Sequence, residues 1–141
     1  MKGKEDFDGR IDGVGYKQSM DDPNKPPMSL VPPELALEVA KVLGYGAAKY
    51  ARGQWMRGMI FSSPVDALER HLAAWKRGED RDPESGLPHL GHAACCLAFL
   101  LHFTEGPRKA EYRRFDDRLF APGVWRTDEN DSHPYIGEDG G

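Results

Sequence analysis

The stretch that decides the fold is DPESGLPHLGHAACCLAFLLHF, residues 82–103, in which a short acidic turn runs into a long apolar segment. Pro88 suits the first turn of a helix, so a helix is predicted from about Pro88 to Phe103, ending before Gly106. From Ala93 onward this segment is apolar nearly all round. A helix of that kind is buried on several sides, either within a bundle or against a second subunit.

Two acids and two imidazoles stand at the mouth of this helix: Asp82, Glu84, His89 and His92. On a helix, His89 and His92 lie at i and i+3 and point to the same side. Two neutral imidazoles with carboxylates a few residues upstream can share one divalent ion or one phosphate-bearing ligand. The alternative is a helix cap with surface histidines. The functional interpretation gains weight because an idle polar group beside a buried helix is costly.

A first helix is predicted upstream, from Pro33, with Glu34 in its first turn where a carboxylate meets the positive end of the helix dipole. Its apolar residues recur at helical spacing and predict a buried stripe of Leu35, Val39, Val42, Leu43 and Gly46. Glu34 and Glu38 lie at i and i+4, which can aim two carboxylates at one cation. The alternative is a solvated acidic edge balanced by Lys41.

A second helix is predicted to begin at Ser63 and Pro64, a capping residue followed by proline, and to end near Gly78. His71 lies within its apolar stripe, and an inward-facing histidine needs a hydrogen-bonding partner. A lone histidine of this kind is more often part of the core than a ligand. Its neighbour Arg70 lies at the edge of the stripe, where it could clamp a phosphate or carboxylate.

The pattern contains no strand-like alternation and no internal repeat, which favours an all-α fold, a small helical bundle. Three helices of ordinary length make a thin core, so we expect a homo-oligomer, dimer or larger, to complete it. Residues 1–27 are predicted to form an extended arm, and residues 28–106 the helical core. Residues 107–141 are predicted to form a short helix and an irregular tail, with Trp125 and Tyr135 as isolated anchors.

Composition excludes several classes of protein. The 141 residues carry a formal net charge of -4, which gives no support for binding to a nucleic-acid backbone. The longest apolar run, residues 93–101, is far short of a membrane span of about 20 residues. Cys95 and Cys96 are adjacent on a predicted helix and cannot easily bridge to each other, so they are expected to be core residues of a reduced, cytoplasmic protein.

Aromatic and basic residues crowd the end of the first helix and the loop after it. Lys49, Tyr50, Trp55 and Arg57 suit a nucleotide, because aromatic faces stack on a base while Lys and Arg meet phosphates. The alternative is that Tyr50 and Trp55 are hydrophobic plugs with basic neighbours. The sequence has no P-loop and no glycine-rich dinucleotide motif, so phosphate binding would use side chains and metal.

Several separated motifs occur in order over roughly residues 25–103. They are G-x-x-K-Y, a Trp a few residues on, R-H, and D-x-E-x-G-x-x-H-x-x-H. In this chain they fall on Gly46, Lys49, Tyr50, Trp55, Arg70, His71, Asp82, Glu84, Gly86, His89 and His92. With these motifs the chain resembles the phage-encoded family of dATP/dGTP diphosphohydrolases, which is grouped with the MazG-like all-α nucleoside triphosphate pyrophosphohydrolases.

The resemblance implies a MazG-like helical bundle, usually oligomeric, that uses divalent metal to split a (deoxy)nucleoside triphosphate into monophosphate and pyrophosphate. The implied substrate is a purine nucleotide, dGTP or dATP, and the implied setting is the host cytoplasm. MazG-like enzymes carry E-E-x-x-E and E-x-x-D motifs, whereas this chain has Glu34-x-x-x-Glu38 and His89-x-x-His92. Imidazole suits manganese, zinc or iron better than magnesium. Either the metal differs, or the acids of the loop replace the missing carboxylates, or hydrolysis is weak or absent. The expected cofactor is a divalent metal, Mg²⁺ or Mn²⁺, and Zn²⁺ stays open.

The residues expected to hold metal are Glu34, Glu38, Asp82, Glu84, His89 and His92. Those expected to act in catalysis are Glu38, Glu84, His89 and His92, with Glu38 or Glu84 taking the proton from water. Those expected to bind substrate are Lys49, Tyr50, Trp55, Arg57, Arg70 and His71. Two alternatives remain: a sponge-like phage protein that sequesters a nucleotide without turnover, and a structural phage protein whose helices only assemble.

Overall fold

The computed structural model describes residues 22–122, so most of the predicted arm and the tail with Trp125 and Tyr135 lie outside the described residues. The chain divides into two compact units, with the boundary after Pro33. In the first unit the described residues form a turn closed by a hydrogen bond from Lys25 N to Asp22 O (2.9 Å) and a 3-10 helix at Met28–Leu30.

The rest of the described chain consists of helices joined by turns and loops. The four α-helices are α1 (Pro33–Lys49), α2 (Ser62–Lys76), α3 (His89–Glu105) and α4 (Lys109–Tyr112), with 3-10 helices at Gln54–Arg57 and Arg113–Phe115. Residues 22–122 contain no β-strand, only an isolated antiparallel bridge between Arg81 and Pro88. The predicted all-α fold is confirmed. Among the described helices, none has the length and hydropathy that a bilayer-spanning segment requires.

The core is aromatic and lies beside the α2–α3 pair. Phe61, Phe103 and Tyr112 are buried together, and their neighbours are Trp55, Met59, Phe99, Leu100 and Phe115. The Phe61 and Phe103 rings are parallel with centroids 6.0 Å apart, and Tyr112 lies 4.7 Å from Phe103. Each such aromatic pair adds about 0.5–1.5 kcal/mol beyond its buried area. The loop before α2 and the short helix α4 therefore complete a core that α2 and α3 begin.

The start of α2 is capped from far along the chain. Its first residue, Ser62, donates from its backbone N to Asp117 Oδ1 (2.9 Å) and from its Oγ to Asp117 Oδ2 (2.7 Å). Asp117 is only 1% exposed, and a carboxylate is favoured at the positive end of a helix dipole. The expectation that Ser63 caps this helix is wrong, because Ser63 lies inside α2 and Asp117 supplies the acceptor.

The two cysteines of α3 are buried in the fold. Cys95 and Cys96 are buried free thiols, as the sequence predicted. Burial raises the pKa of Cys95 to about 12 and also raises the pKa of Cys96. Because the thiolate is the reactive form, these side chains act as small apolar residues.

The first helix packs more loosely than predicted. None of the α1 residues is fully buried. In the predicted stripe Leu35 is 49% exposed, while Val39, Val42, Leu43 and Gly46 are half-buried, so the stripe lies on the less exposed face of α1 but is not buried as expected. α1 does approach α3 at Gly91, where an added Cβ would lie 3.4 Å from Glu38 Cβ and 3.7 Å from Val42 Cγ2. α1 and α3 therefore approach closely at Gly91, and the apolar residues of α1 do not form the continuous interface that their spacing predicted.

Candidate metal centre

The histidines that the sequence singled out meet between α2 and α3. His71 comes from α2, and His89 and His92 come from the first turn of α3. The rings of His71 and His92 are stacked, with centroids 4.4 Å apart and planes 6° from parallel. The prediction that an inward-facing His71 requires a partner is confirmed, since its Nδ1 lies 2.9 Å from His89 Nδ1.

A tight turn carries Asp82 to this pair. Asp82 N donates to Leu87 O (2.9 Å), and Gly86 N donates to Asp82 O (2.7 Å). Gly86 has a φ of 73°, in the left-handed region that favours glycine. Asp82 Oδ1 accepts from Glu84 N (3.1 Å), while Asp82 Oδ2 lies 3.5 Å from His92 Nε2. One oxygen of this carboxylate thus holds the turn and the other faces the histidines.

Three side chains from this region form a potential metal site. His71, Asp82 and His92 each offer one ligand atom, and these atoms all lie within 4.8 Å of one another. All three residues are partly buried. Two imidazole nitrogens and one carboxylate oxygen form a mixed ligand set that suits Mn²⁺, Fe²⁺ or Zn²⁺.

Burial keeps both imidazoles of this set neutral. The pKa of His71 is lowered chiefly by desolvation and by the nearby charge of His92, and the pKa of His92 is lowered chiefly by desolvation. Asp82 opposes both shifts, since a carboxylate favours the imidazolium. The neutral form predominates near pH 7, and it is the form that has a lone pair to give to a metal ion.

His89 lies behind the other two histidines and is almost fully buried, at 4% exposed. Its Nδ1 faces His71, and its Nε2 lies 2.6 Å from Glu79 Oε1. Glu79 is placed by the end of α2, where Gly78 N bonds to Trp75 O and Glu79 N bonds to Ala74 O. These two bonds form a Schellman motif, with Gly78 at a φ of 96°.

An exposed ion pair borders the cluster. Lys49 Nζ lies 2.9 Å from Glu84 Oε1, and Tyr45 Oη lies 3.5 Å from the same oxygen. This contact raises the pKa of Lys49 and lowers the pKa of Glu84. The Tyr45 ring also meets His92 edge-on, with centroids 6.4 Å apart. A cation and an ionised carboxylate therefore stand beside the histidines.

Comparison with known proteins identifies the family. Residues 16–117 match the family model described as dATP/dGTP diphosphohydrolase, N-terminal. The chain belongs to this family. It is 36% identical over 103 residues to a dATP/dGTP diphosphohydrolase of Salmonella phage PMBT28, a match that covers 73% of this chain and 34% of that protein. The chain spans about a third of the length of this relative. No solved structure gives a significant match.

In this member of the dATP/dGTP diphosphohydrolase family, the carboxylates of α1 are outside the group of His71, Asp82 and His92, although Glu38 packs against α3 at Gly91. Glu34 is exposed in the first turn of α1, and the Glu38 carboxylate lies 2.8 Å from Lys41 Nζ. Neither carboxylate joins the group formed by His71, Asp82 and His92. Glu84, by contrast, lies next to that group through its contact with Lys49.

Of the residues expected to bind substrate, Trp55 packs inside the protein, whereas Tyr50, Arg57 and Arg70 are exposed. Trp55 stacks on Phe99 with centroids 4.5 Å apart and lies beside the aromatic core. Tyr50 is 61% exposed and lies at the C-terminal end of α1, with Lys49 Nζ 5.9 Å from its ring. Arg57 and Arg70 are exposed.

Sequence reasoning missed three side chains of this region. Ser85 Oγ lies 2.7 Å from His92 Nε2 and accepts from Leu87 N. Glu79 bonds to His89, and Tyr45 contacts both His92 and Glu84. A signal existed for Glu79, because the residue after a C-terminal glycine has a fixed position in a Schellman motif. No signal existed for Ser85 or Tyr45, whose roles depend on how α1 and the turn pack.

Proposed function

We propose that this chain is the catalytic region of a metal-dependent hydrolase that converts a purine deoxynucleoside triphosphate, dGTP or dATP, into the monophosphate and pyrophosphate. Family membership supports the class of reaction, because the related phage protein is named for dATP and dGTP. The proposed setting is the host cytoplasm, where these nucleotides are present. The single observation that carries the proposal is the convergence of His71, Asp82 and His92.

The proposed metal ligands are His71, Asp82 and His92. They fit a divalent ion by their chemistry, since their ligand atoms are within 4.8 Å of one another and both imidazoles are held neutral. Imidazole favours Mn²⁺ over Mg²⁺ in this set, and Zn²⁺ is a further candidate. When bound, the ion would supply positive charge to offset the negative charge of the phosphate oxygens.

The groups around this set can serve the rest of the substrate. Lys49 is a cation beside the cluster and is the proposed contact for a phosphate oxygen. Arg57 and Arg70 are exposed cations on the neighbouring loop and helix, and the same role is proposed for them. Tyr50 is the better candidate for stacking on the base, because its ring is exposed whereas Trp55 packs against Phe99.

The reaction requires one water molecule and a base. The water oxygen forms a bond to the α-phosphorus, and the bond from that phosphorus to the bridging oxygen breaks, so pyrophosphate leaves with the electron pair. Glu84 is the proposed acceptor of the water proton, because it is an ionised carboxylate that adjoins the histidine cluster through Tyr45 and Asp82. Glu38 is the second candidate, and its carboxylate is paired with a lysine, Lys41, as that of Glu84 is with Lys49.

We also propose that the protein works as a homo-oligomer. Large apolar side chains stay exposed on two helices of the described chain: Leu35, Leu37, Leu90, Leu97 and Leu101. Several large apolar side chains exposed on the surface of helices are typical of a surface that another subunit covers. A second copy of this chain is the simplest cover.

One experiment tests the proposed activity. The purified protein is incubated with each of the four deoxynucleoside triphosphates and Mg²⁺ or Mn²⁺, while pyrophosphate release and thermal stability are followed together. We expect release with dGTP or dATP and loss of release in His92→Ala, with Glu111→Gln as a control at a surface ion pair remote in sequence. A thermal shift without release would contradict turnover and favour nucleotide sequestration. The absence of both pyrophosphate release and a thermal shift would contradict both turnover and sequestration.

A further inference from the structure

His89 differs from the other two histidines because both of its ring nitrogens are already engaged. Its Nε2 lies 2.6 Å from Glu79 Oε1, and its Nδ1 lies 2.9 Å from the Nδ1 of His71. Only 4% of the residue is exposed, so solvent has little access to this contact. The result is an unbroken chain of hydrogen bonds from a carboxylate to a proposed metal ligand.

With Glu79 ionised and both imidazoles neutral, only one set of tautomers makes both hydrogen bonds. An ionised carboxylate can only accept, so the hydrogen of the first bond belongs to Nε2 of His89. A neutral imidazole carries one ring hydrogen, which leaves Nδ1 of His89 as an acceptor. The hydrogen of the second bond then belongs to Nδ1 of His71. Nε2 of His71 is therefore the nitrogen that keeps a lone pair.

We propose that Glu79 and His89 are positioning residues that lock His71 in the Nδ1–H tautomer and so present its Nε2 to the metal ion. The inference rests on the proposed metal centre, which it deepens by assigning two residues that contact neither metal nor substrate. Histidine ligands in metalloproteins are commonly held by a hydrogen bond from their second nitrogen, which fixes the ring and its tautomer.

The backbone holds this chain of bonds at two further points. Glu79 follows the Schellman motif that ends α2, so its position depends on the helix end. His89 donates from its backbone N to Asp80 O (2.9 Å), which joins the start of α3 to the residue after Glu79. The carboxylate and the imidazole are thus brought together by main-chain contacts that do not depend on the metal.

The first test reads the tautomers directly in the metal-free protein. Nitrogen-15 NMR of the imidazole rings distinguishes a protonated ring nitrogen from one with a lone pair. We expect His71 protonated at Nδ1 and His89 protonated at Nε2 in the wild-type protein, and a mixture of His71 tautomers in Glu79→Ala. Wild-type His71 protonated at Nε2, or an unchanged spectrum in Glu79→Ala, would overturn the proposal.

The second test measures Mn²⁺ affinity in the same variants. Glu79→Ala is expected to bind Mn²⁺ about 10- to 100-fold more weakly, the usual effect of losing such a support. Glu79→Gln keeps an oxygen that can accept from His89 and should recover much of the affinity. Glu111→Ala removes another exposed acid, one that pairs with Arg108, and should change nothing. Equal affinity in wild-type and Glu79→Ala would overturn the positioning role.

The two tests separate this inference from the proposed function. If the wild-type protein binds no Mn²⁺, Zn²⁺ or Mg²⁺, the metal centre fails and the role of Nε2 as a ligand fails with it, while the tautomer lock is decided by NMR alone. If metal binds equally well with and without Glu79, the metal centre stands and the positioning role fails. Glu79 is half exposed, so its substitution leaves the aromatic core intact.

Discussion

α1 and α3 have the same length, 17 residues each, but they contribute very differently to the protein. α3 buries six residues, whereas α1 buries none. The histidines of α3 meet partners from α2 and from the turn before α3. On α1, Glu34 remains exposed and Glu38 pairs with its own neighbour Lys41.

This difference shows where a site can form. A side chain has a fixed direction only when packing and hydrogen bonds hold it, and the α2–α3 pair supplies both. The acids of α1 have suitable chemistry for a metal ion, but neither carboxylate lies in the group formed by His71, Asp82 and His92. Substitutions on α1 and α3 should therefore differ in their effects on stability and on metal binding.

The largest expected effect is on stability. Phe103→Ala should lower the free energy of unfolding by about 3–5 kcal/mol, because it empties the centre of the aromatic core. Leu35→Ala on α1 should cost less than about 1 kcal/mol, since that side chain is already half exposed. Urea denaturation at a protein concentration low enough to keep subunits apart measures both. Equal losses there would contradict the contrast, whereas a larger loss from Leu35→Ala that appears only at high protein concentration would support the proposed partner subunit.

The next effect is on metal binding. His92→Ala should weaken Mn²⁺ binding by more than about 100-fold, since losing a ligand should cost at least as much as losing its support. Glu34→Ala and Glu38→Ala should bind as the wild-type protein does. Titration followed by the electron paramagnetic resonance signal of free Mn²⁺ gives all three affinities. A large loss in the α1 variants would mean that the acids of that helix complete the site.

A smaller effect is expected at the start of α2. Asp117→Ala should lower the free energy of unfolding by about 1–2 kcal/mol, because the backbone N and the hydroxyl of Ser62 lose their acceptor. Asp117→Asn keeps one acceptor oxygen and should lose less. Thermal unfolding of the two variants checks the order. If the two losses are equal, the carboxylate acts through its charge and not as a cap.

The smallest effect is the response to acid. The pKa values of His71 and His92 are lowered in the folded protein, so the unfolded chain binds more protons below its ordinary histidine pKa of 6.5. The stability of the metal-free protein should therefore be full above about pH 6.5 and should fall as the pH drops below it. Unfolding at pH 7 and pH 5.5 measures this. The double variant His71→Gln and His92→Gln should respond less, and an equal response would contradict the assignment.

Much of the fold was predictable because it depends on local signals. Pro33 and Pro88 mark helix starts, and Gly78 marks the end of α2, since each residue type suits only a few backbone positions. The cap by Asp117 was not predictable, because the residue that it caps lies 55 positions away. The same holds for Phe61 and Tyr112, which come together only in three dimensions.

The site was predictable where it depends on residues close together in the sequence. Asp82 and His92 lie within one turn and helix start, so their spacing already placed them together. His71 was expected to bind substrate, a role that stays a prediction, and the fold places it with Asp82 and His92 as a potential metal ligand. That contact depends on the packing of α2 on α3. Glu34 and Glu38 show the converse, since their spacing on one helix did not bring their carboxylates into the group of His71, Asp82 and His92.

The most direct test of the account is the position of a bound ion. Crystals grown with Mn²⁺ should show one anomalous scattering peak next to the ring nitrogens of His71 and His92 and the carboxylate of Asp82, and no peak on the carboxylates of Glu34 or Glu38. A peak on α1 with the histidine cluster empty would contradict the account, because it would place the metal on the acids that the packing of this protein leaves apart.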